Sequence, residues 1–109
     1  MHLIIDGECG NLSLLKESPL LEKWLLDMAH SLGMKVIGGP LVVDYRGFPS
    51  GLSGVILFAE SNITVHTFTT TKEVKIDIFS CRDFDFEETK KLVVEAFKVN
   101  TQRVFLLPR

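Results

Sequence analysis

The chain predicts an α+β fold: a two-layer α/β sandwich, its sheet mainly antiparallel, with two helices on one face. Three observations carry this. Strand-like runs follow one another through residues 53–80 with only short turns between them, and strands joined by short turns pair antiparallel. Two segments, 18–32 and 86–98, place apolar residues at helical spacing. Two helices cannot cover both faces of a sheet of about five or six strands. Both therefore lie on one face, and the other stays open unless a second chain meets it.

The elements follow in order. Residues 2–6, HLIID, read as a strand, and GECGN after them as a turn. Ser18-Pro19 is a helix start, a serine cap followed by proline where its missing N–H costs nothing. Leu21, Trp24, Leu25, Met28, Ala29 and Leu32 form the helix's apolar stripe, and Gly33 ends it. Residues 34–45 are either one strand broken at Gly38-Gly39-Pro40 or two short strands, because Pro40 cannot donate to a ladder. Residues 46–52 form a Gly/Pro loop. Three strands follow at 53–60, 61–69 and 73–80, rich in Ile, Val, Thr and Phe, with a turn near Thr70 to Lys72. Asp85 caps a second helix over 86–98, with Glu88 placed as in a capping box. Val104 to Leu107 is a last strand.

A chain of 109 residues is one domain. It buries one core but has little material for a deep, enclosed active site, so a second copy is expected to complete any pocket. Hydrophobic residues at 46% and charged residues at 24% are ordinary globular usage, which excludes disorder. A net charge of −2 gives no field to recruit nucleic acid or an anionic membrane. The apolar run Val55 to Ala59 is far too short to span a bilayer, and the N-terminus meets Asp6 without a basic region, so no signal peptide is expected. Two cysteines make no disulfide framework, and a cytoplasmic location with reduced thiols is expected. His2, His30 and His66 show no ligand spacing with the cysteines, so no metal is expected.

The candidate chemistry is a serine at Ser61, a histidine at His66 and a cysteine at Cys81. Each has an ordinary reading: a small polar strand residue, an exposed histidine, a small buried hydrophobe. On a regular strand Ser61 and His66 point to opposite faces. They converge only through a bulge, a bend or a break between Glu60 and Ser61.

The block GLSGVILFAES ending at Ser61, the His66-Thr67 pair and the Asp-x-Phe-x-Cys ending at Cys81 stand in the order and spacing of a known family. The chain resembles the prokaryotic, pyruvoyl-dependent S-adenosylmethionine decarboxylase proenzymes, from HLIID through Gly10 to the Cys81 strand. The resemblance implies self-cleavage between Glu60 and Ser61, giving chains 1–60 and 61–109, with Ser61 converted to the pyruvoyl cofactor that forms a Schiff base with substrate. It assigns His66 to proton transfer in processing, Ser53 to its support, and Cys81 to catalytic proton donation. It puts Phe48 and Glu60 at the substrate; Glu8 and Asp6 are open candidates for a substrate cation, with no spacing that selects either. The substrate it implies is S-adenosylmethionine, for spermidine biosynthesis, acted on by a cytoplasmic homodimer of cleaved protomers. Other readings are a pyruvoyl enzyme for ornithine or arginine, or an uncleaved dimerisation module. The chain departs from the family pattern where Asn62 replaces a histidine, Phe68 a tryptophan, Thr69 a proline, Thr70 a glutamate and Arg82 a glycine, and Phe48 lies one residue closer to the serine than usual. Loss of the glutamate bears on the substrate more than on self-processing.

Overall fold

The computed structural model describes residues 1–109. In chain order the elements are β1 (His2–Cys9), α1 (Leu12–Lys16), α2 (Ser18–Leu32), β2 (Val36–Tyr45), β3 (Gly51–Phe58), β4 (Ser61–Phe68), β5 (Glu73–Ser80), α3 (Phe86–Phe97) and β6 (Val99–Leu107). The strands form one sheet in the order β2-β3-β4-β5-β1-β6, and every neighbouring pair is antiparallel. The helices share one face of it. The expected two-layer α+β architecture is the observed one.

The pleat explains the layering. Leu3 and Ile5 on β1, Leu52 and Ile56 on β3, Ile63 and Val65 on β4, and Val74, Ile76 and Ile78 on β5 are all buried beneath the helices. They meet Leu21, Trp24, Leu25 and Met28 of α2 and Val93 and Phe97 of α3 in a single core. Trp24 meets Phe97 edge-on with ring centroids 4.8 Å apart, so the two long helices touch above the sheet. Thr67, like Ser61 and Ser80, is a polar residue on this buried face. Its hydroxyl donates to the Leu15 carbonyl at 2.7 Å and accepts from the Leu52 N–H at 2.9 Å, which removes the cost of burying it.

Several local expectations are corrected. β1 runs on through Gly7 to Cys9, because a register shift between Asp6 and Glu8 against β6 absorbs the irregularity read as a turn. Helix α1 was not expected. At five residues it is too short to show a period, and Asn11, read as part of a turn, is its cap, accepting from the Leu14 N–H at 3.3 Å. Helix α2 has the expected span, but Glu17 is its cap residue, without a side-chain bond. β2 is one strand whose pairing shifts on either side of Gly38, so Gly39-Pro40 is carried in a bulge. β3 and β4 each end before their expected limits, at Phe58 and Phe68. Lys98 is the left-handed cap of α3 rather than its last residue, and β6 begins directly after it, at Val99.

The Gly-x-Ser-Gly start of β3 has a packing reason. A Cβ on Gly51 would overlap the Thr67 carbonyl, whereas one on Gly54 would sit 3.2 Å from the Leu21 and Leu25 methyls, which can shift. Gly51→Ala is therefore expected to cost about 1–3 kcal/mol through overpacking, and Gly54→Ala clearly less. Denaturant titration of the two variants checks the order.

Candidate active site

The β3–β4 connection is two residues, Ala59 and Glu60, and neighbouring segments hold it from outside. The Lys35 carbonyl accepts from the Ala59 N–H at 3.2 Å, and the Cys81 N–H donates to the Glu60 carbonyl at 3.1 Å. Glu60 also pairs through its carboxylate with Arg82, Nε to Oε2 at 3.2 Å. Ser61 stands opposite Ser80 in the β4–β5 ladder and is 9% exposed. Its hydroxyl points to the helix side, where its partner is the Met34 sulfur at 3.1 Å. The fold thus brings Glu60, Ser61 and Cys81 together at one end of the sheet. Met34, which the sequence reading did not single out, completes that cluster. The Gly33 turn that ends α2 fixes its place, and no sequence pattern links it to Ser61. A cavity of ≈ 280 Å³ lies between the C-terminus of α2 and the N-terminus of α3, lined in part by Met34, Arg82, Phe84 and Leu92.

Ser53 and His66 form a second cluster on the open face, Ser53 Oγ to His66 Nδ1 at 2.8 Å. Tyr45, Pro49 and Phe68 line a groove of ≈ 220 Å³ beside them. β4 pairs without interruption on both sides, so nothing bends it. Ser61 and His66 therefore face opposite ways, about 16 Å apart along the strand, and do not meet in the uncleaved chain. The ladders continue the His66 row through Lys75 to Asp6 and Arg103, a polar stripe across the open face. Asp6 thus shares a row with His66, and Glu8 lies one row further out, opposite Glu73. Lys75 was missed because its place beside His66 depends on register. Phe48, at the tip of the 46–50 loop, is 87% exposed and not tucked on the core. Thr70 is exposed in the β4–β5 turn, and the carboxylate nearest the Phe68 row is Glu73, directly opposite Phe68.

The two thiols differ. Cys81 is free and exposed. Cys9 is buried, donates to the Phe97 carbonyl at 3.3 Å, and burial pushes its pKa above the usual thiol range.

A two-layer antiparallel α+β domain with a serine at a hairpin turn and a cysteine beside the preceding carbonyl is the class that fold and site define. The sequence profile of the S-adenosylmethionine decarboxylase family matches residues 1–109. The chain belongs to that family. It is 28% identical over 110 residues to an S-adenosylmethionine decarboxylase proenzyme of Thermodesulfovibrio yellowstonii, covering 99% of this chain and 78% of that one. It is 29% identical over 109 residues to the S-adenosylmethionine decarboxylase proenzyme of Bacillus cytotoxicus, covering 99% and 82%. Its fold matches the crystal structure of the adenosylmethionine decarboxylase of Aquifex aeolicus with a TM-score of 0.72, at 16% identity, over 98% of this chain and 91% of that one.

A thiol-alkylating reagent near neutral pH is expected to modify Cys81 at least ~10-fold faster than Cys9, because only the thiolate reacts and Cys9 is both shielded and shifted away from it. Peptide mapping after timed alkylation checks this. Raising the pH or adding denaturant should bring Cys9 into reaction.

Proposed function

We propose that the chain is a self-processing proenzyme that breaks between Glu60 and Ser61 and becomes a pyruvoyl-dependent decarboxylase of S-adenosylmethionine, the aminopropyl donor for spermidine. The observation carrying this reading is the Ser61 hydroxyl next to a carbonyl that the Cys81 N–H holds at 3.1 Å, in a chain of this family. The residues fit a pyruvoyl group made in place. Ser61 is partly shielded, and a thioether is a weak acceptor that leaves its hydroxyl free to turn.

The steps balance without an outside reagent other than water. Ser61 Oγ adds to the Glu60 carbonyl carbon and loses its proton, and the C–N bond breaks to leave an ester and a free amine on residue 61. A base removes the Ser61 α-proton, the Cβ–Oγ bond breaks, and Glu60 leaves as a carboxylate. The dehydroalanine tautomerises, and water replaces its nitrogen, releasing ammonia. His66, oriented by Ser53, is the proton carrier in this scheme. The finished pyruvoyl group supplies an electron-poor carbonyl that accepts the electron pair left when CO₂ departs. Cys81 holds the proton that returns to the substrate carbon, and Phe48 offers a ring to a purine or a sulfonium.

The separation of about 16 Å between Ser61 and His66 along the strand supports a homodimer, in which the Ser53–His66 pair of a second copy serves the Glu60–Ser61 turn of the first. The open sheet face has the composition for it. Leu41, Val43, Tyr45, Leu57, Phe105 and Leu107 are each 46–59% exposed there, and patches of this kind mark contact surfaces. We place the enzyme in the cytoplasm, where a free thiol such as Cys81 persists; no helix is long and apolar enough to cross a membrane.

A second reading keeps the self-processing and changes the substrate to a smaller amino acid such as ornithine or arginine. Exposed Thr70 favours it, standing where the family pattern has a glutamate. Glu73 opposite Phe68 favours the nucleoside substrate, as a carboxylate on the neighbouring strand. Carbon dioxide release measured with each amino acid in turn separates the two.

Denaturing mass spectrometry of aged protein is expected to show fragments 1–60 and 61–109, the second with a blocked, carbonyl-bearing terminus. Ser61→Ala should stay whole and inactive. Cys81→Ala should still cleave but decarboxylate ~10²-fold more slowly. A single intact chain in the wild type defeats this reading.

In sedimentation at micromolar concentration the protein should run as a dimer. Mixing a Ser61→Ala chain with a His66→Ala chain should restore cleavage in the His66→Ala copy if the site is shared between copies. No restoration, with each variant dimeric, defeats the shared site.

A further inference from the structure

We propose that Arg82 is a positioning residue for the self-cleavage, holding the Glu60 carbonyl to its donor before the break and bridging the two fragments after it. The proposal rests on the self-processing reading above and adds a residue to it.

Neither Ala59 nor Glu60 has positive φ, whereas the two-residue hairpin turns that suit a twisted sheet need it. The connection is thus not stabilised by its own turn chemistry. Three contacts from other segments hold it: the Lys35 carbonyl, the Cys81 N–H and the Arg82 guanidinium. The last two come from consecutive residues. The Arg82 N–H donates to the hydroxyl of fully buried Ser80 at 3.1 Å, which turns the chain at the end of β5 and sends the Arg82 side chain back over the turn. One dipeptide therefore grips Glu60 at both its carbonyl and its carboxylate.

This grip falls on the reacting atom. When Ser61 Oγ adds, the Glu60 carbonyl oxygen takes the negative charge, and the Cys81 N–H is the backbone donor on it. Arg82 fixes the orientation of Glu60 relative to that donor and adds a positive charge nearby. Once the Glu60–Cβ61 ester link opens, Glu60 is the last residue of the first fragment and carries a new α-carboxylate. Arg82 belongs to the second fragment, so its ion pair spans the break.

The pair is solvent-exposed, Arg82 at 68% and Glu60 at 54% of the side chain, so its effect is modest and salt-sensitive. The experiment follows conversion of freshly made full-length chain by mass spectrometry, at low and high salt, for wild type, Arg82→Ala and Arg82→Lys. Arg82→Ala is expected to cleave about 3- to 5-fold more slowly at low salt, with melting temperature unchanged. Arg82→Lys should recover most of the rate. Wild type should slow toward the alanine variant as salt rises, and the alanine variant should hardly respond. Equal rates for wild type and Arg82→Ala overturn the proposal while leaving self-processing intact. Slow cleavage that lysine does not restore and that tracks a lower melting temperature also overturns it. A wild type that never cleaves defeats the self-processing reading itself, and this proposal with it.

Discussion

The alternation of β4 is the constraint on which the rest depends. Ser61, Ile63, Val65 and Thr67 go to the helices, while Asn62, Thr64, His66 and Phe68 go to the open face. Both neighbours pair with β4 in unbroken register, so no residue on it can change sides without breaking two ladders. The nucleophile candidate and the base candidate are thereby assigned to different faces by the same strand. A single copy of this fold therefore carries two separate clusters, one at the β3–β4 turn and one on the open sheet.

The helix layer makes that assignment rigid. β4 is a central strand whose helix-side row is buried at every second position, and a slip of one residue would expose the whole row. Thr67 reinforces the register with two hydrogen bonds, one to α1 and one to β3. The same slip would leave its hydroxyl unpaired in the core, at a cost of about 1–3 kcal/mol. The open layer has no such cover. Exposed apolar residues share it with the polar row of Ser53, His66, Lys75, Asp6 and Arg103.

Much of this was legible in the sequence where period and length agreed. Helix α2, β5 and the Asp85 cap of α3 fall where the apolar spacing put them, and the opposite orientation of Ser61 and His66 follows from their being five residues apart on a strand. What was illegible depends on partners far along the chain. Helix α1 is shorter than one readable period and stands because Leu14 and Leu15 are buried and Asn11 donates to the Ala96 carbonyl at 2.8 Å. β1 and β6 extend beyond their apolar runs because each supplies the other's ladder across a register shift. Met34 against Ser61 and Lys75 beside His66 are products of tertiary placement, and no spacing rule connects positions 34 and 61.

The Ala59-Glu60 turn is one place where local preference and fold disagree, because its shape is held from outside. Other positions depart from local preference as well: Lys72 in the β4–β5 turn, Lys98 at the end of α3 and Thr101 in β6 all take positive φ without being glycine, whereas α2 ends on Gly33. At the β3–β4 turn no glycine or asparagine is present, and the geometry is imposed by Lys35, Cys81 and Arg82. A turn selected only for closing a hairpin would carry its own turn residues. Here a glutamate carbonyl is fixed from outside, while the Ser61 hydroxyl bonds only to a thioether, so the peptide between them is well oriented and the hydroxyl weakly tied. Conflicts between local preference and global structure cost stability, and here that cost is met by contacts from Lys35, Cys81 and Arg82 rather than by the turn itself.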